Sequence, residues 1–120
     1  MKPLYHPERE AMTLEGTFSA LGDSVRLNVV RELLRLPEDA EKSCGTFEIP
    51  VSKSTFSHHV RVLREAGLIR VRQEGALSLL SLRREDLEAR FPGLLTTVAI
   101  ATKKQFPRRR VELIALSGNN

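Results

Sequence analysis

Lys53, Ser54, Ser57, His58 and Arg61 are the residues of this 120-residue chain whose types and spacing could do chemistry. Wound at 3.6 residues per turn, Ser54, Ser57, His58 and Arg61 fall on one side of a helix. They are short hydrogen-bonding groups and one cation, with no acid among them. That chemistry is recognition of base edges and phosphates, the kind a DNA major groove accepts. Bond-breaking chemistry has thin support. Cys44 with His58 or His59 is the one nucleophile and base combination to name, and no glycine-rich phosphate loop or carboxylate pair accompanies it. No catalytic residue and no cofactor is expected.

The helix that must position these groups is Ser52 to Leu68. Phe56, Val60 and Leu63 recur at i, i+4 and i+7, the stripe of a core-facing side. Ser52 stands at the N-cap, and Ala66-Gly67-Leu68 has the form of a left-handed C-cap followed by an apolar residue. The two histidines separate on this helix. His58 lies in the polar face, and His59 falls toward Phe56 and Leu63, where packing is the better role. Neighbouring helical residues diverge by about 100° and cannot chelate one ion together.

The other elements follow in chain order. Met1 to Pro7 carries two prolines and reads as a flexible arm. Glu8 to Leu21 reads as a helix, ended by Gly22. Asp23 then caps a second helix, Val25 to Leu36, with Leu27, Val30, Leu33 and Leu34 inward and Val29 widening the stripe. Arg26, Arg31 and Arg35 lie off that stripe, on a solvated face or in local pairs. Between Pro37 and Val51 a short helix around Glu41 to Thr46 is expected, weakened by Gly45. After Gly67 the period changes to two. Ile69-Arg70-Val71-Arg72 alternates, Glu74-Gly75 is a turn, and Leu77 and Leu79 alternate again, giving a hairpin over 69–82. Helix-turn-helix order followed by a basic hairpin predicts a winged helix-turn-helix, mainly α with a small β part (α+β), as a single domain over 1–120. Arg84 to Arg90 and Leu94 to Phe106 give two more helices.

The apolar surface of the first and last long helices, over 8–21 and 94–106, exceeds what so small a domain hides easily. Leu14, Phe18, Leu94, Leu95 and Val98 are therefore expected at a dimer interface, with packing inside one copy as the alternative. The run Lys103 to Arg110 holds five cations and opens a basic tail over 107–120; such tails are usually solvated.

The net charge of +4 comes from 19 Lys and Arg against 15 acids. Lys53, Arg61, Arg64, Arg70 and Arg72 face only Glu65 between Ser52 and Arg72, whereas Glu38, Asp39, Glu41 and Glu48 dominate the preceding loop. A polyanion on one side is the implied partner. A lone cysteine excludes an internal disulfide. No stretch approaches the ~20 apolar residues of a membrane span, and the N-terminus lacks a signal peptide's apolar region, so no membrane partner and a cytoplasmic location are expected.

The run Ala20-Leu21-Gly22-Asp23-Ser24-Val25-Arg26-Leu27, then Ser52 to Ile69, then the hairpin, resembles the ArsR family of bacterial winged-helix transcriptional regulators over about Thr17 to Leu82. The specific part is Ser-x-Ser-Thr-x-Ser-His-His followed by Leu-Arg-Glu-Ala-Gly-Leu. The resemblance implies a homodimer on a palindromic operator in double-stranded DNA, usually a repressor, released by an inducer such as a small molecule. It carries DNA contact onto Lys53, Ser54, Ser57 and His58, with Arg61 close behind, matching the helical wheel. Thr55 in the same turn joins the set, as do Arg70 and Arg72 on the wing as phosphate contacts.

The chain departs from that family where many members bind metal. Cys44 stands alone near the third helix, and Leu94 to Phe106 contains no His, Asp, Glu or Cys. His6 has no evident companions, so no metal site is expected. Cys44 remains a possible redox switch if Lys42 or a helix N-terminus lowers its pKa, the alternative being an ordinary small buried residue. A winged helix used for protein contact is the competing function. The small donors and cations of the central helix argue against it.

Overall fold

Asp23 begins the helical core by accepting the backbone N–H groups of Val25 and Arg26 at 2.8 and 3.1 Å. In the computed structural model, which describes residues 3–105, this cap opens α2, Ser24–Leu34. Before it lies α1, Leu14–Leu21; after it come α3, Lys53–Ala66, α4, Arg84–Arg90, and α5, Leu94–Gln105. Val25, Val29, Val30 and Leu33 of α2 meet Phe56, Val60 and Leu63 of α3 in one apolar core, joined by Leu87 and Leu95 from α4 and α5. Each such side chain, fully buried, contributes roughly 1.5–3 kcal/mol.

Helix α3 ends as its sequence requires. Gly67 takes φ 92°, its N–H donates to the Arg64 carbonyl, and the Leu68 N–H reaches back to the Leu63 carbonyl. This pair of bonds is a Schellman ending, and the two leucines it joins, Leu63 and Leu68, are both fully buried. Glycine is needed twice over here: a Cβ at Gly67 would lie 2.6 Å from Cγ of Met12.

The wing hairpin pairs β2, Ile69–Glu74, with β3, Leu77–Leu82, from Ile69 opposite Leu82 to Glu74 opposite Leu77. Its two-residue turn is Gly75-Ala76, with Gly75 at φ 59°, the positive φ that tight hairpin turns place at the first central residue. The sheet has a third strand. Residues Lys42–Ser43 form β1, pairing antiparallel with Leu80 and Leu79 and giving the order β1-β3-β2. The expected helix over Glu41 to Thr46 is therefore replaced by this strand and one tight turn, Cys44–Thr46. Gly45 disfavours a helix here through its backbone entropy, and the edge of β3 gives Lys42 and Ser43 ladder partners instead.

Two further expectations are corrected. The helix read over Glu8 to Leu21 is interrupted: a short turn at Arg9–Ala11 is followed by an extended Met12. The Met12 side chain is 1% exposed, and Thr13 recaps the chain by accepting the Gly16 N–H at 3.1 Å. Burying Met12 under Gly67 outweighs continuing the helix. The N-terminal arm also is no loose tail from residue 3 onward. Arg64 donates to the Tyr5 carbonyl, Arg83 to that of Pro7 at 2.8 Å, and Arg90 to that of Met12 at 2.6 Å. His6 accepts the Val71 N–H on the outer edge of β2 at 3.0 Å. An edge strand is thus covered by the arm.

Helix α5 packs on α2 and α4. Leu95 belongs to the core, and Leu94 and Val98 are half-buried against it, so all three pack within the chain. Arg31 fastens α5 by donating to the Thr102 hydroxyl at 2.9 Å. Leu14 and Phe18 on α1 are by contrast 44% and 56% exposed. The stretch expected to be a basic tail, 107–120, lies outside the described residues.

Candidate nucleic-acid interface

Ser52 accepts the Thr55 N–H at 3.2 Å and starts α3. The same hydroxyl donates to Thr55 Oγ1 at 2.9 Å, so Thr55 is partly committed to the cap. From there the helix divides as its periodicity demands. Phe56, His59, Val60, Leu63 and Arg64 are buried. Lys53, Ser54, Thr55, Ser57, His58 and Arg61 are all exposed, on a helix with no acid in its first turn. The six helix residues expected to meet DNA are thus all exposed; Ser54, Ser57, His58 and Arg61 share one face, with Lys53 and Thr55 at its two margins.

His58 and Arg61 form a unit on that surface. Nη2 of Arg61 lies 3.3 Å from Nδ1 of His58. A guanidinium has only donors, so Nδ1 accepts and the ring proton stands on Nε2. The outward group is an N–H, suited to a guanine O6 or N7, a thymine O4 or a phosphate oxygen.

His59 has a different task. Its Nδ1 accepts from Arg26 at 3.1 Å and lies 3.8 Å from the Asp23 carboxylate. Arg26 also donates to the Ala20 carbonyl at 2.7 Å and that of Ser19 at 3.3 Å. One guanidinium therefore joins the end of α1, the start of α2 and the middle of α3. The backbone N–H of Arg26, outweighing burial and helped by the Val25 N–H and the Arg26 guanidinium, holds the Asp23 carboxyl below its ordinary value. Reading Arg26 as a solvated or locally paired residue missed this bracket. Its place three residues after a capping Asp was the available signal.

The wing arginines are less free than their sequence implied. Arg70 and Arg72 are exposed on one face of β2. Arg72 donates to both oxygens of Glu41, at 2.7 and 3.0 Å, and to Glu74 at 3.0 Å. These bonds hold Glu41 below the usual carboxylate range and push Arg72 upward. Arg70 touches Asp86 more loosely, at 3.4 Å. Asp86 chiefly serves Arg9 and Arg83, at 2.8 Å each; burial would raise its carboxyl, and these partners hold it low. Arg64, counted in the positive stripe by sequence, is buried under the arm.

Cys44 is half-buried beside the wing, and burial pushes its thiol up. Lys42, the residue expected to lower it, places Nζ over the Phe47 ring at 5.0 Å instead. Both nitrogens of His6 are occupied, one by Val71 and the other, Nδ1, by the Leu4 carbonyl at 3.1 Å. Among the described residues, no three His, Cys, Asp or Glu side chains gather to hold a metal ion. No helix among them is long and apolar enough to cross a membrane.

Residues 21–72, from the end of α1 into the wing, match the family model described as a helix-turn-helix domain. The chain is 36% identical over 83 residues to the uncharacterized HTH-type transcriptional regulator YceK of Bacillus subtilis strain 168, covering 68% of this chain and 81% of that one. The chain belongs to the helix-turn-helix transcriptional regulators. Its regulator fold is the ArsR-type winged helix. An ArsR family transcriptional regulator of known structure superposes with a TM-score of 0.56 at 20% identity, over 85% of this chain and all of that one. The transcriptional repressor BigR from Xylella fastidiosa gives 0.57 at 23% identity, over 80% of this chain and 88% of its own. Helix α3 lies within the matched helix-turn-helix region, and the chain is a DNA-binding transcriptional regulator by family.

Proposed function

We propose that this regulator is a homodimeric repressor that seats one α3 per protomer in successive major grooves of a palindromic operator. The observation that carries the reading is the exposed polar face of α3, which holds no acid from Lys53 through Arg64 and on which Arg61 pairs with Nδ1 of His58 and leaves Nε2 to carry the ring proton. Ser54, Ser57 and His58 meet base edges, Lys53 and Arg61 meet bases or phosphates, and Thr55 meets a phosphate at the helix N-terminus. On the wing, Arg70 meets phosphate before Arg72, which must first part from two carboxylates.

Dimerisation runs through α1, where Leu14 and Phe18 stay exposed, with Ile100 on α5 a further exposed apolar residue at 50%. The repressor role is supported by likeness of fold to BigR, and the operating signal is a non-metal one. The protein acts where the DNA is, in the cytoplasm. A gel shift on DNA upstream of the protein's own gene, with sedimentation of the free protein, tests the reading. A retarded complex that a scrambled palindrome abolishes, formed by a dimer, is expected. Equal binding to scrambled DNA, or a monomer at micromolar concentration, would overturn it.

A further inference from the structure

A cavity of about 740 Å³ opens between α3, the wing, the Cys44–Thr46 turn and the N-terminal arm. Its floor is core, with Phe47, Phe56, Val60 and Val71 reaching it from three elements. Leu4 from the arm and Leu77 from the wing also line it, and both are exposed large apolar side chains, at 38% and 52%. Three cations, Lys53, Arg61 and Arg64, contribute to the lining, and no Asp or Glu does. The size is that of a small-molecule site, with an apolar wall and a few convergent charges. DNA has no apolar body with which to cover this floor.

We propose that the cavity binds a small organic anion with an apolar body, and that its occupancy is incompatible with DNA binding. The apolar part lies on Phe56 and Val60 between Leu4 and Leu77, and the carboxylate or sulfonate meets Lys53 and Arg61. Those two cations and Ser57 both line the cavity and stand on the exposed face of α3. A ligand that engages them withdraws them from the operator. This second half rests on the function proposed above; the binding half does not.

The test is calorimetric titration of the full-length chain with octanoate and 2-naphthoate, and with their uncharged counterparts 1-octanol and 2-naphthamide. The carboxylates should bind saturably at one site per chain, and the uncharged compounds about tenfold more weakly or worse, a free-energy difference of about 1.4 kcal/mol. Leu4→Ser/Leu77→Ser, which alters two exposed residues, should weaken the carboxylates by a similar factor and leave operator affinity unchanged. In a gel shift, the carboxylates should release DNA from the wild type and not from this variant. No saturable binding of either carboxylate to the free protein, equal binding of the uncharged compounds, or equal binding by the variant would overturn the site. Carboxylate binding with undiminished operator affinity would overturn the competition. Failure of the wild type to bind any DNA sinks the operator reading instead, and the calorimetry still decides the cavity.

Discussion

Nη2 of Arg61 donates to Nδ1 of His58 across one helical turn at 3.3 Å, so a cation sets which nitrogen of the neighbouring ring carries the proton. The two side chains act as one hydrogen-bonded unit, and on the proposed operator their contributions to binding should be coupled.

Operator affinity should therefore fall in His58→Ala and in Arg61→Ala, and the double variant should lose less than the sum of the two. The expected coupling is about 0.5–3 kcal/mol in a double-mutant cycle. Arg61→Ala should also flatten the salt dependence of binding by about one phosphate contact. Additive losses, read by gel shift at several salt concentrations, would show the pair acting independently.

Arg72 is held away from phosphate by Glu41 and Glu74. Glu41→Gln/Glu74→Gln should release it, raising operator affinity and steepening log K against log salt by about 0.9. A slope identical to wild type would mean that the wing arginine meets no phosphate.

Gly67→Ala should lower stability by about 2–4 kcal/mol, combining a left-handed φ for a residue with a Cβ and overpacking against Met12. Denaturant unfolding measures it. Met12→Ala in the Gly67→Ala background should relieve the clash while adding its own cavity cost, so the two losses should not sum.

His6 gives the fold a pH dependence. Burial, opposed by the Leu4 carbonyl and reinforced by Arg64, Arg83 and Arg70, holds its pKa below the ordinary 6.5. The unfolded chain then takes up the proton first, so stability is full above pH 6.5 and declines as pH falls through that value toward the depressed one. Protonation also puts a hydrogen on Nε2, where the Val71 N–H is accepted. Melting temperature should fall between pH 7 and pH 5, and His6→Gln should flatten that decline. Asp23 and Asp86, held below 3.8, act in a separate window at lower pH.

Cys44, its thiol pushed up by burial, should be a poor redox sensor. Mild peroxide should leave operator affinity of wild type and of Cys44→Ser equal. A loss confined to the wild type would revive the thiol as a switch.

Much of the recognition unit was legible in the residues. A period of 3.6 on α3 sorted Phe56, Val60 and Leu63 from Ser54, Ser57 and Arg61, and separated His58 from His59, because a helix face is a property of spacing alone. Ser52, Asp23, Gly67 and Gly75 marked caps and a turn, since each acts on backbone groups within a few residues. Only the tertiary structure decided what the arginines do. Arg26 bracketing three helices, Arg64 holding the arm and Arg72 clasped by Glu41 involve partners 31 to 59 residues away. A guanidinium on a long flexible stem reads the same in sequence whether it points to solvent, to a phosphate or to a buried carbonyl. Its partner is chosen by packing, and so is the burial of Leu95, which a helical stripe could as well have offered to a second copy.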